Sequence, residues 1–278
     1  MNGLHELPLI IFTVLAQSVV GVWLLFSWAL YQPNTLQSKQ YLHKAMFVLL
    51  VLLGIGFFCS ILHLGSPFRA FNSLNRVGSS MLSNEIAGGS VFFGFAGLYW
   101  LLSILGKMPE KLAKVCLMFT ALLGLVFMSM MNNVYHIDTV PTWNTTLTTW
   151  QFYLTVLIGG SALGYALLNA NPHKTYHLSY VPYLYLIGLF CAVIVVIYQA
   201  FGLAHIHSSI QQAVSLVPDF ANLQAARFTL LALAAVALCK SSKIGILSVV
   251  ALMVIFAEMI GRTLFYGLHM TVGTAVAG

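Results

Sequence analysis

The chain has 278 residues, of which 60% are hydrophobic and only 6% are charged. A typical soluble domain carries about 25% charged residues, so this composition excludes a soluble enzyme and a disordered chain. Its 12 basic residues outnumber the 6 acidic ones, but they form no run that could follow a nucleic-acid backbone. This is the composition of a polytopic membrane protein.

Eight long apolar stretches, separated by polar clusters, are predicted to cross the membrane. A transmembrane helix needs about 20 residues, whereas a barrel strand needs about 9–11 residues of alternating polarity. The stretches therefore indicate an all-α integral membrane protein, a bundle of eight helices that forms a single anchor domain over residues 1–278. Their approximate bounds are 9–31, 45–64, 85–106, 113–134, 150–169, 180–204, 223–239 and 244–268.

The basic residues of the loops predict which way the spans face. Loops 1–2, 3–4, 5–6 and 7–8 hold eight lysines, whereas the tails and the other loops hold only Arg69 and Arg76. Because cytoplasmic loops carry the excess of basic residues, both termini are expected on the periplasmic side of a bacterial inner membrane. The first stretch lacks the basic start and small-residue cleavage site of a secretory signal, so we expect it to remain as a span.

The end of the second span and the start of the third carry the leading candidates for a site. His63 closes one span, Arg69 follows in the loop, and Glu85 opens the next span. An imidazole has an ordinary pKa of about 6.5 and can accept a proton near neutral pH, and a guanidinium can hold an oxygen atom. His63 and Glu85 could therefore accept and relay protons. The alternative is that Glu85 is a first-turn acid that stabilises the helix dipole, beside a Ser83 cap.

Histidines gather on the outer side of the predicted bundle, where the second, fourth, sixth and eighth spans end: His63, His136, His205, His207 and His269. None lies near a span centre, where a b-type haem would need axial imidazoles on two facing helices. The four cysteines are too far apart to hold an iron–sulfur cluster. We therefore expect neither haem nor metal in this protein. Asp138, in another outer loop, is interpreted as a structural or docking residue.

Two ionisable residues lie inside the last span, Glu258 and Arg262, four positions apart. Such residues are costly in a membrane unless they are paired, and they commonly mark functional sites. One interpretation is an ion pair that fixes the last helix in the bundle, and the other is a proton relay below an outer-face site. A secondary transporter could also use the pair, although transporters usually place polar groups near the midplane on broken helices.

Several long motifs resemble the membrane anchor subunit of bacterial dimethyl sulfoxide reductase. The similarity runs from the PLIIFT segment at 8–13 to the end of the chain. The other motifs are LHLGSP at 62–67, RAFNSLNRVG at 69–78, SNEIA at 83–87, IDTVPTW at 137–143, IHSSIQQA at 206–213 and FYGLHMTVG at 265–273.

The resemblance implies a haem-free anchor that binds menaquinol as its substrate and oxidises it. The electrons would pass to [4Fe–4S] clusters in an iron–sulfur subunit and then to a molybdopterin catalytic subunit that reduces sulfoxides or N-oxides in anaerobic respiration. The three subunits would form a heterotrimer, and the anchor would have no catalysis of its own without its partners.

In that family, a quinol site is associated with the residues that correspond to His63 and Glu85. Menaquinol is therefore expected between spans two and three near the outer face, with Arg69 orienting the headgroup or holding Glu85 ionised. Arg69 and Arg76 lie on the side where basic residues are disfavoured, and we expect them to contact the iron–sulfur subunit. A purely structural anchor is the remaining alternative.

Overall fold

The computed structural model describes residues 2–63, 67–207 and 212–271, without the side chains of residues 2 and 67–71. These ranges contain eight α-helices, each long and apolar enough to cross a membrane, and no strand. The predicted all-helical fold with eight spans is confirmed. The helices are α1 (Leu7–Tyr31), α2 (Leu36–His63), α3 (Met81–Ile104), α4 (Glu110–Asn133), α5 (Thr146–Asn169), α6 (Val181–Leu203), α7 (Phe220–Lys240) and α8 (Ile244–Gly267), with short 3-10 helices at Asn2–Glu6, Pro67–Arg76 and Ala213–Leu216.

The third helix begins earlier than the sequence suggested. Its N-cap is Ser80, preceded by a turn in which Gly78 has a φ of 90° and donates its N–H to Asn84 Oδ1 at 2.7 Å. This turn starts the helix before Ser83, so Ser83 is not the cap. Glu85 lies one turn inside α3, and the first turn contains no acid. The dipole explanation for Glu85 is therefore wrong.

The contact between α1 and α5 forms the centre of the bundle. A Cβ atom on Gly21 of α1 would clash with the Val156 carbonyl of α5, and one on Gly160 would lie 2.5 Å from the Gly21 Cα. Small residues let helix backbones approach closely in a membrane, where packing rather than the hydrophobic effect drives association. As a result α1 is the most buried of the spans.

The bundle consists of two halves, α1–α4 and α5–α8, with the same pattern of neighbours. In each half the first helix packs on the second and the fourth, and the third helix packs on the second and the fourth. Because each half has an even number of helices, α1 and α5 cross the membrane in the same direction.

Both ends of the described chain lie on one side of the bundle. The 3-10 helix Asn2–Glu6 packs on the end of α8, and a Cβ atom on Gly3 would clash with the Thr263 carbonyl. We name this the termini side and the opposite one the lysine side. Whether the termini side is periplasmic stays a prediction. The lysine side carries Lys39, Lys44, Lys107, Lys111, Lys114, Lys174, Lys240 and Lys243.

Candidate functional site

A cavity of about 910 Å³ lies at the termini side of the first half, mainly between α2 and α3. Its walls are largely apolar and aromatic, and its volume is within the range of small-molecule sites, about 300–1,000 Å³. The lining residues Ile61 of α2 and Ser90 and Phe93 of α3 are exposed. The cavity is therefore bordered by exposed residues of α2 and α3, two helices that an apolar molecule in the bilayer would meet.

His63 lines the cavity as the last residue of α2, and it is paired with Glu6. The His63 Nε2 lies 3.0 Å from the Glu6 Oε2, and each side chain is about one-third exposed. Of the two neutral tautomers of the imidazole, the carboxylate favours the one with its proton on Nε2, which leaves Nδ1 as an acceptor. The pair can thus take up a proton and pass it to water on the termini side.

Glu6 is a candidate site residue that the sequence analysis missed. It reaches His63 because the 3-10 helix that ends at Glu6 is held on α8 by the close approach of Gly3. The one available signal was a single acid in a tail without Lys or Arg, since nothing in the sequence relates this tail to the end of α2.

Glu85 lies on another part of the same cavity wall and is 4% exposed. Among the described residues, no hydrogen-bond partner reaches its buried Oε1. A buried polar atom without a partner costs about 1–3 kcal/mol, so a ligand hydroxyl or a water molecule would complete this part of the site. The structure therefore brings the predicted residues His63 and Glu85 to one cavity, with Glu85 the more deeply buried.

Two tyrosines add hydroxyl groups to the cavity. The Tyr135 and Tyr266 hydroxyl oxygens lie 2.6 Å apart, and both residues line the space. Burial raises the pKa of Tyr135, in the loop after α4, well above its usual range, so its phenol stays protonated. The tyrosine pair can therefore donate a hydrogen bond to a bound oxygen atom.

Aromatic side chains join the loop after α4 to the end of α8. Trp143 donates its indole N–H to the Phe265 carbonyl at 2.8 Å, and the two rings stack at a centroid distance of 5.2 Å. The His269 ring lies against Trp143, and both residues line the cavity. These contacts give the cavity a packed aromatic wall.

Two arginines, Arg69 and Arg76, belong to the 3-10 helix between α2 and α3. The structure does not describe the Arg69 side chain, so its role in orienting the headgroup stays a prediction. Arg76 ends the 3-10 helix Pro67–Arg76 and is exposed, while Leu74 of the same segment lines the cavity. This segment therefore connects the cavity to the surface of the termini side.

Four polar residues that the sequence singled out in the outer loops are not among those that line the cavity: His136, Asp138, His205 and His207. His136 Nε2 is 2.9 Å from Thr149 Oγ1, and Asp138 Oδ1 accepts from Asn144 Nδ2 at 2.9 Å, which fits a structural role. His205 and His207 are exposed between α6 and α7. Within the described ranges, no three His, Cys, Asp or Glu side chains are grouped closely enough to hold a metal ion.

The spacing of Glu258 and Arg262 on one helix suggested that these two residues pair. Instead, Glu258 forms its ion pair with Arg227 of α7. The Arg227 Nη2 lies 3.0 Å from Glu258 Oε1, and Thr155 of α5 donates its hydroxyl to Glu258 Oε2 at 2.6 Å. Arg227 reaches across Gly261, where a Cβ atom would come within 2.6 Å of the guanidinium carbon. The close packing of α7 on α8 at Gly261 therefore lets Arg227 reach Glu258.

Arg262 turns toward α1 and α5. Its Nη2 donates to Gln17 Oε1 at 2.7 Å, and its guanidinium carbon lies 3.8 Å from the centre of the Phe152 ring. Since both Glu258 oxygens already have partners, the geometry favours a role in holding helices together over proton transfer. The relay role of Glu258 and Arg262 stays an untested prediction.

Comparison with known proteins finds similarity along almost the whole sequence. The sequence model of the family described as DMSO reductase anchor subunit (DmsC) matches residues 1–268. The C subunit of the anaerobic dimethyl sulfoxide reductase of Haemophilus influenzae is 55% identical over 277 residues, which cover 100% of this protein and 99% of that one. Two anaerobic dimethyl sulfoxide reductase proteins of Escherichia coli are each 46% identical: YnfH over 283 residues, with coverages of 100% and 99%, and the C subunit over 287 residues, with coverages of 99% and 99%.

Proposed function

This protein belongs to the family of DMSO reductase anchor subunits, as its motifs predicted, and from this premise we propose that it oxidises menaquinol within its complex. One observation carries the proposal. His63 and Glu85 line a single, largely apolar cavity of about 910 Å³ that is bordered by exposed residues of two candidate membrane spans. A quinol dissolved in the bilayer can enter such a space without crossing water, and it meets proton acceptors there.

The first quinol hydroxyl binds to His63 and gives its proton to Nδ1. The imidazolium that forms lies beside the Glu6 carboxylate, 3.0 Å from Nε2, and this contact stabilises the positive charge. Both side chains are partly exposed, so the proton can leave to water on the termini side. This arrangement supports a proton exit that does not cross the membrane.

The second hydroxyl binds near Glu85, whose unpartnered Oε1 accepts its hydrogen bond and then its proton. The Tyr135–Tyr266 pair can donate to the same oxygen once it has lost that proton. Oxidation of one menaquinol thus releases two protons and two electrons. Arg69 remains a candidate for orienting the headgroup.

The electrons pass to [4Fe–4S] clusters of an iron–sulfur subunit that docks on the termini side, and from there to a molybdopterin catalytic subunit. The cavity lies at this side, and the segment with Leu74 in its lining carries the exposed Arg76. If an acidic surface of the iron–sulfur subunit binds Arg76, the nearest cluster of that subunit would lie close to the quinol. The complex lies in the bacterial inner membrane with this side periplasmic, so turnover moves no charge across the membrane.

The site is tested with His63→Arg in membranes that contain the assembled complex. Loss of the proton acceptor should lower quinol-analogue oxidation by about 10²-fold or more, within the contribution of a general base. Substrate reduction with an artificial electron donor should stay normal, because it bypasses the anchor. His207→Arg is the matched control, since His207 is exposed on the same side and lies outside the cavity lining.

A normal oxidation rate and normal binding of a hydroxyquinoline N-oxide inhibitor in His63→Arg would contradict the site and favour a purely structural anchor. Glu85→Lys provides an independent measurement, because a lysine on the buried wall should weaken inhibitor binding. The artificial-donor activity in membranes shows for each variant that the partner subunits are still attached.

A further inference from the structure

A second cavity, of about 220 Å³, lies on the lysine side of the first half, at the opposite end from the quinol site. It lies where α1 and α3 end and α2 and α4 begin. Hydrogen-bond donors from three helices line it. They are Lys39 and His43 of α2, Tyr99 and Ser103 of α3, and Lys114 of α4.

The two lysines are held in place at this cavity. Lys39 Nζ lies 3.1 Å from Glu110 Oε1, and Lys114 Nζ lies 4.9 Å from the centre of the Tyr31 ring. Glu110 is the one acid in the described lining, and its side chain is 79% exposed. Two ammonium groups and one solvated carboxylate give the cavity a net positive charge.

The inner wall adds neutral donors. Tyr99 is 3% exposed, its ring meets Trp23 edge-on, and its hydroxyl lies 3.5 Å from His43 Nε2. The Ser103 hydroxyl is also buried. Ammonium and hydroxyl groups that converge in one pocket match the oxygen atoms of a phosphate ester.

The surroundings indicate that such a phosphate belongs to a lipid. Near the cavity, the end of α3 and the start of α4 expose the apolar side chains of Leu105, Leu112 and Val115. Basic pockets between transmembrane helices at the headgroup level are typical sites for anionic phospholipids. We propose that this cavity binds the phosphate of an anionic phospholipid such as phosphatidylglycerol, with the acyl groups against α3 and α4.

Native mass spectrometry of the detergent-purified full-length protein tests the proposal. With added phosphatidylglycerol, wild-type protein should retain lipid, and the Lys39→Gln/Lys114→Gln variant should retain at least about fivefold less, because each lysine contributes to anionic-lipid binding. The Lys39→Arg/Lys114→Arg variant should bind like wild type. Lys240→Gln/Lys243→Gln removes two lysines from the same side outside this cavity and should also bind normally.

A gain-of-binding variant separates the proposal from misfolding. Glu110→Gln frees Lys39 from its carboxylate partner and should increase phosphatidylglycerol retention. An equal loss of lipid binding in the two glutamine double variants would overturn the proposal. Lipid retention would then depend on the total charge of the lysine side and not on this cavity. Inorganic phosphate that binds as tightly as the lipid, with the same lysine dependence, would overturn the assignment to a lipid.

Discussion

Two buried carboxylates of this protein differ in what surrounds them. Glu258 is 2% exposed, and both of its oxygens have partners in Arg227 and Thr155. Glu85 is 4% exposed, yet its Oε1 has no hydrogen-bond partner among the described residues and faces a cavity. A saturated carboxylate holds helices together, whereas an unsaturated one at a cavity is available to a ligand. Burial alone therefore does not identify a site residue.

For single residues, the first prediction concerns Glu6. Glu6→Gln keeps an acceptor oxygen near His63 but removes the negative charge that stabilises the imidazolium. Quinol-analogue oxidation should fall by roughly tenfold, less than the 10²–10⁴-fold expected from loss of the base itself. Stopped-flow measurement in membranes with assembled complex checks the rate, and Asp219→Asn removes an exposed acid on the same side as a control. An unchanged rate in Glu6→Gln would exclude the carboxylate from proton transfer.

Between helices, the Arg227–Glu258 pair and Thr155 join α7, α8 and α5. Arg227 passes over Gly261 to reach Glu258, so a side chain at this glycine would block the contact. The cluster lies in the second half of the bundle, and its residues are absent from the lining of the large cavity. Its geometry therefore supports a role in helix packing.

The matching prediction is that Arg227→Met lowers stability by about 3–5 kcal/mol, because it leaves a buried carboxylate without its counter-charge. Arg227→Met/Glu258→Met removes both charges and should recover much of the loss. Thermal unfolding of the purified protein in detergent, followed by tryptophan fluorescence, measures both variants. A double variant less stable than Arg227→Met would contradict this account, because the unpaired carboxylate would then not be the cause of the lost stability.

At the scale of the whole molecule, two halves with the same neighbour pattern contain different sites. The fifth residue of α3 is Glu85 and the fifth residue of α7 is Gln224, and both are buried. The first half combines its acid with a cavity and the end of the N-terminal tail. The second half contains the Arg227–Glu258 pair, so the two halves differ in their buried charges although their helices pack in the same pattern.

The orientation of the bundle yields a topology prediction. Because eight lysines lie on one side, reporter fusions at Lys111 and Lys243 should be cytoplasmic, and a fusion after Met270 should be periplasmic. Alkaline phosphatase and green fluorescent protein fusions measure the two locations. A cytoplasmic C-terminus would reverse the proposed side for partner docking and proton release.

The proposed docking of an iron–sulfur subunit gives the last prediction. Arg76→Glu reverses an exposed charge next to the cavity segment and should release part of the partner subunits from the membrane, because an acidic partner surface would be repelled. Immunoblots of membrane and soluble fractions, with artificial-donor activity, measure the retained fraction. Lys111→Glu on the lysine side is the control. Full retention and full activity in Arg76→Glu would remove this residue from the interface.

The sequence alone determined the fold class, the eight spans and the family. Hydropathy is a local property, and a stretch of about 20 apolar residues is helical in a membrane because every backbone group must be bonded within the segment. The family motifs singled out His63 and Glu85. The spacing of Glu258 and Arg262 on one helix, by contrast, suggested a pair that does not form.

The tertiary structure alone decided which side chains meet. Glu6 meets His63, Tyr135 meets Tyr266, and Glu258 meets Arg227, each across a boundary between elements. In a membrane, apolar residues face both lipid and neighbouring helices, so hydrophobic periodicity does not show which face of a span is buried. Helix rotation and the close approaches at glycines set these contacts, and they depend on the packing of all eight helices at once.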